Sequence, residues 1–246
     1  MITYGQFIEF EHEVPKSIQI NDSCLVLFAG DSVNAAAIIR NAREAPRSEE
    51  ASTSEISMQV AQQYHLQRLS VVDQQVFAPR GIALHQFYGG LQTQMVPQIA
   101  MQLDNQAATL NIGIDLLVAG VDDFGGHVNG VGHPGQVFQT YESVGFHAVG
   151  SGAIHAIQSL IERQQAPHRT LTETLFNVVV SKRRAEAAPG VGHDSDVYIV
   201  GKSAITRVES SVLDQVDSMY NESTNRAQVK DSDEFKALEE ALGGQA

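Results

Sequence analysis

Cysteine is nearly missing from this chain: Cys24 is the only one in 246 residues, so no disulfide can form within it. It lies in the apolar run Cys24-Leu25-Val26-Leu27-Phe28, which makes it a core side chain rather than a nucleophile. Positive charge is scarce as well. Sixteen Lys and Arg against 29 Asp and Glu leave a net charge of −13, which argues against a nucleic-acid surface and against attraction to anionic membranes. No apolar run approaches membrane-spanning length, and no basic n-region precedes an apolar h-region. Repeats are absent too. With 43% hydrophobic and 18% charged residues, what remains is an ordinary globular composition, and a cytoplasmic location is the default expectation.

What the chain does have is one organising stretch, Leu116 to Val131. An apolar run, Leu116-Leu117-Val118-Ala119-Gly120-Val121, meets Asp122-Asp123-Phe124-Gly125-Gly126 and then a second run to Val131. That order reads as a β-hairpin whose first strand is buried on both faces, with Gly125 and Gly126 supplying positive φ. Phe146 to Val149 reads as a short strand leading through Gly150-Ser151-Gly152 into a helix from Ala153.

Upstream, Thr3 to Glu13 reads as an edge strand or hairpin, and Ser17-Ile18-Gln19-Ile20 alternates as a strand. Cys24 to Ala29 is a central strand ending at Gly30, and Asp31 or Ser32 caps a helix from Val33 to about Arg43. The small polar run Ala45 to Ser54 reads as a loop. Helical spacing resumes from Glu55 towards Val76, and a third tract spans Ile82 to Leu103, interrupted by Gly89, Gly90 and Pro97. A short strand follows over Gln136 to Tyr141, then a helix from Ala153 to Arg163. Thr170 and Glu173 have capping-box spacing for a helix to about Glu186, stopped by Pro189-Gly190. Asp196 to Val200 is a last strand, Ser210 to Tyr220 a last helix, and the acidic end is expected to be mobile or docked on a neighbour.

The order strand, Lys16, strand ending Ala29-Gly30, helices, the Leu-Leu-Val-Ala-Gly-x-Asp hairpin, Gly-Ser-Gly helix, capped helix, strand resembles the proteasome β-type subunits. These are N-terminal-nucleophile hydrolases. The resemblance covers roughly Thr3 to Val200 and implies an α/β fold of α+β type: a four-layer α-β-β-α sandwich with antiparallel sheets. It implies a domain over 1–200 with an enlarged helical region at 45–104, and a helical, acidic tail over 201–246. Its function would be that of a subunit in a threonine-type peptidase ring, acting on polypeptide, with other such subunits as partners.

Carried onto this sequence, the resemblance makes Lys16 the cation that lowers the nucleophile's pKa. Gly30 becomes the oxyanion donor and Ser151 the serine beside the nucleophile's amine. Thr3, in Thr3-x-Gly5, matches a substrate-contacting threonine, and Phe28 and Ser32 would line the pocket for the residue before the scissile bond. Two departures stand out. The family's nucleophile and an aspartate fall ahead of Thr3, where this sequence begins with Met1, so the chain as written is expected to be inactive. Where the family has a supporting aspartate and serine, this chain has Ala185 and Ala188, with Glu186 one residue off register. The rival expectations are a non-catalytic ring subunit and a small-amide hydrolase on the same fold, acting as a dimer.

Outside the resemblance, Ser151 can be read as a helix cap, Lys16 as a surface charge and Gly30 as a strand-to-helix turn. Nine histidines invite a metal reading, notably His127, His133 and His193 with Asp194 and Asp196, but no zinc-like spacing completes a set. Neither a metal nor any other cofactor is expected. Asn221-Glu222-Ser223 is a glycosylation sequon by letter only.

Overall fold

The computed structural model describes residues 2–4, 8–10, 16–46, 48 and 51–226. The expectation for the acidic end, and Gly5, fall outside the described residues. Strands β1 (Ile2–Tyr4) and β2 (Ile8–Phe10) pair antiparallel, Thr3 opposite Glu9, within the expected edge hairpin.

The centre is a five-stranded antiparallel sheet in the order β3-β4-β5-β6-β7. Its strands are β3 (Ser17–Asn21), β4 (Cys24–Gly30), β5 (Ile114–Asp122), β6 (Gly125–Val131) and β7 (Gln139–Thr140). Alternation along β4 and β5 sorts their side chains onto two faces. Cys24, Val26, Phe28, Ile114, Leu116 and Val118 are buried in one core cluster. Two helices cover that face: α1 (Ser32–Glu44), through Ala35, Ile38, Ile39 and Ala42, and α2 (Thr53–Val72), through Ile56, Val60, Ala61 and Tyr64. The other face carries Leu25, Leu27 and Ala29 beside Leu117 and Ala119. Leu117 and Ala119 are half-buried rather than fully enclosed, so β5 is buried completely on its helix-facing side alone.

The hairpin forms with Leu117 opposite Gly130 and Asp122 opposite Gly125. Its tip is Asp123-Phe124, and Gly125 takes φ +131°. Gly126 does not: with Gly125 absorbing the reversal, it already pairs with Val121 in the ladder.

Two further elements differ from expectation. Helix α2 starts inside the run read as a loop, because Ser52 and Glu55 form a reciprocal capping box there. Phe146 to Val149 is not a strand, since its backbone joins no ladder. The third helical tract divides at its glycines and proline into α3 (Leu84–Tyr88) and α4 (Pro97–Thr109). These pack with the π-helical turn after α2 around Val72, Val76, Phe77, Phe87, Leu103 and Ala107, a second core away from the sheet.

The C-terminal half supplies α5 (Ala153–Glu162), α6 (Leu171–Ala185), the hairpin β8 (Tyr198–Val200) and β9 (Ile205–Arg207), and α7 (Ser210–Arg226). Helices α5 and α6 pack on each other, α7 packs on α6, and β8 lies beside β5. The Thr170–Glu173 capping box is present. The fold is therefore α+β, with antiparallel sheets. No helix among the described residues is long and apolar enough to cross a membrane.

Candidate functional site

Strand β4 ends at Gly30 with φ +96°, where a Cβ would fall 1.8 Å from the Gly113 carbonyl oxygen. Only glycine fits that close crossing of β4 over the chain entering β5. The next amide, Asp31 N–H, donates to Gly113 O at 3.3 Å, and the Asp31 carboxylate caps α1 through Val33 and Asn34 N–H.

The Gly150-Ser151-Gly152 loop meets this strand end. A Cβ on Gly150 would lie 3.0 Å from the Ala29 methyl, and one on Gly152 2.8 Å from the Ala185 methyl. Ser151 thus sits between the end of β4 and the end of α6. It is exposed, and its hydroxyl has no hydrogen-bond partner among the described residues. It does not cap α5, whose N-cap is Gly152 with no side-chain cap bond.

Ala185 is buried beside this loop, and Ala188 is buried as well. Glu186 is already committed. Its carboxylate takes Lys182 Nζ at 2.5 Å, Arg183 at 2.8 Å and His193 Nδ1 at 2.8 Å. Burial opposes ionisation there, yet these donors hold its pKa down at about 2. Burial lowers the Lys182 pKa, and Glu186 only partly offsets it.

Lys16 is exposed at a bend before β3, and its carbonyl accepts from Phe28 N–H at 3.0 Å. Its ammonium has no ion pair among the described residues. Phe28, only 6% exposed, points into the core beneath α1, on the face opposite Ala29 and so away from the Gly150 loop. Ser32 is the half-buried first residue of α1. Thr3 lies on β1, in a sheet separate from the central one. The structure therefore brings the loop that carries Ser151 against Ala29, the residue before Gly30, with the Lys16 backbone bonded to the same strand, and keeps Phe28 on the other face.

Beside this point lies a cleft of about 280 Å³ that the sequence did not disclose. It is lined by Asp115, Gly130, Gly132, His133, Tyr141 and His147, among others. The Tyr141 and His147 rings stack at 3.7 Å between centroids and 6° between planes. Burial pushes the His147 imidazole below its ordinary value, with Asp115 acting against the shift. Three separate segments build the cleft, united by the β5–β6 register and by the return of the chain after β7.

His127 has a different role from the metal ligand considered above. It is 9% exposed, with Nε2 2.7 Å from Asp122 and Nδ1 2.5 Å from Glu142. Burial works against its charge, but the two carboxylates raise its pKa. Asp122 also accepts from Thr53 and Phe124 N–H; against burial, these contacts and His127 bring its pKa to about 2. The trio fastens the hairpin to the start of α2. Among the described residues no group of three or more His, Cys, Asp or Glu side chains is placed to hold a metal ion.

Compared with known proteins, the chain matches no protein-family model and no curated protein.

Proposed function

We propose that this chain is a proteasome-like subunit of a threonine-type peptidase assembly, built as a four-layer α-β-β-α sandwich and joined to like subunits in a ring. The observation that supports the reading is the Gly150–Gly152 loop held between Ala29 and Ala185, so that the loop bearing Ser151 meets the strand end that leads into Gly30. In this reading an N-terminal threonine, serine or cysteine attacks the peptide carbonyl, with its own α-amine taking the proton. Ser151 orients that amine, Lys16 favours its deprotonated form, and the backbone at Gly30 stabilises the oxyanion. The sheet covered by α1 and α2, the position of β8 beside β5 and the pairing of α5 with α6 support this reading.

A second reading, a non-catalytic ring subunit, is favoured by buried methyl groups at Ala185 and Ala188 and by the engagement of Glu186. Native mass spectrometry with electron microscopy, run beside a fluorogenic peptidase assay on the chain with its natural N-terminus, separates the two. An active ring is expected to lose about 100-fold or more of its turnover in Lys16→Ala. Inactive rings favour the structural subunit, and a preparation that never forms rings overturns both. Undiminished turnover in Lys16→Ala removes Lys16 from the mechanism.

A further inference from the structure

We propose that the cleft beside Asp115 is a recognition pocket for a basic side chain, lysine or arginine, of a peptide lying across the end of β4. The inference rests on the peptidase-type reading for the location of the reacting bond, but not for the pocket itself.

Position comes first. Asp115 lies directly opposite Ala29 in the β4–β5 ladder, one residue before Gly30, and Ala29 abuts Gly150. The carboxylate is thus one strand away from where the Ser151 loop meets the end of β4. Val149, the residue before that loop, also lines the cleft.

Chemistry comes second. Asp122, Asp217, Glu142, Glu173 and Glu186 all have a cationic partner. Asp115 is exposed and makes no hydrogen bond or ion pair among the described residues. Glycine keeps it reachable, because a Cβ on Gly132 would come within 2.8 Å of Asp115 Oδ1. Opposite, the stacked Tyr141 and His147 rings stand over Gly130, giving a flat wall for an aliphatic stem or a guanidinium plane.

Size and charge decide among occupants. A volume of about 280 Å³ suits one long side chain rather than a large cofactor. An anion would meet the carboxylate, and an apolar side chain would strip water from it without replacing the lost hydrogen bonds. A basic side chain meets both surfaces, and the net charge of −13 favours its approach.

Calorimetric titration with short blocked peptides that differ at one residue (arginine, norleucine or glutamate) tests the pocket without any turnover. The arginine peptide is expected to bind roughly tenfold or more tightly than the norleucine peptide. That preference should vanish in Asp115→Asn, persist in part in Asp115→Glu and stay intact in Asp123→Asn, which alters a carboxylate at the hairpin tip. Equal binding of arginine and norleucine peptides by the unaltered chain overturns the proposal, even if no variant can be made. So does an arginine preference that survives in Asp115→Asn or falls equally in Asp123→Asn. Because binding needs no nucleophile, an inactive or ringless chain that still selects arginine through Asp115 sinks the peptidase reading and leaves the pocket standing.

Discussion

His127 shows how much one buried side chain can bind together. Its two ring nitrogens reach carboxylates from the hairpin end and from the segment after β7, and Asp122 carries the connection on to the backbone of α2. Folding raises the His127 pKa above its ordinary 6.5, so its contribution is complete below that value and is lost as pH rises through the raised one. Asp122 behaves in the opposite sense. Its shift from 3.8 to about 2 corresponds to about 2 kcal/mol, present above the ordinary value and lost as pH falls through about 2. The two together predict greatest stability between these limits, on the weakly acidic side of neutrality. Urea midpoints should fall from about pH 6 to about pH 9, and His127→Gln should flatten that slope. An equally steep slope in the variant would assign the dependence to other groups.

Among the elements, the α3–α4 region hangs on Arg68. Buried on α2, this side chain donates to Leu110 O at 3.0 Å, Ala107 O at 2.6 Å and Ala108 O at 2.9 Å, the carbonyls left open at the end of α4. Arg68→Met keeps most of the aliphatic bulk and removes every donor, at a cost of about 3 kcal/mol. Hydrogen exchange should then quicken in residues 97–109 while the β4–β5 amides stay protected. Uniform loss of protection would show that the second core is not a separate unit.

Elements also differ in how plainly their letters announce them. The hairpin is legible because alternation and Gly125 act within a few residues. Thr170 and Glu173 announce a capping box plainly, whereas the same spacing at Ser52 and Glu55 is hidden inside a run of small polar residues. Phe146 to Val149 has a strand's composition but no neighbour to bond, a fact fixed by tertiary placement alone. Ser151 and Gly30 could be joined only through the resemblance, since 120 residues separate them. Asp115, Tyr141 and His147 had no such guide. Their meeting follows from register across β5 and β6 and from where the chain returns after β7.

For the whole molecule, 16 positive against 29 negative side chains leave −13 spread over one chain. Self-repulsion of that size should make stability rise with salt, since the Debye length shrinks from about 30 Å at about 0.01 M to about 8 Å at about 0.15 M. The urea midpoint should therefore increase over that range. A flat or falling midpoint would mean that the ion pairs of Glu186, Asp122 and Arg183 outweigh the net repulsion.

The Arg68 latch closes a loop in the path of the chain. The path leaves α2 at Val72, forms α3 and α4, and comes back to Leu110 within reach of a residue it has just left. Tyr64, one turn earlier, bonds Ile114 O at the start of β5. Departure and return are thus neighbours, so the excursion is a closed side loop whose contents the central sheet does not read. Such a loop can lengthen, shorten or be exchanged for another between related chains while β4 and β5 keep their register.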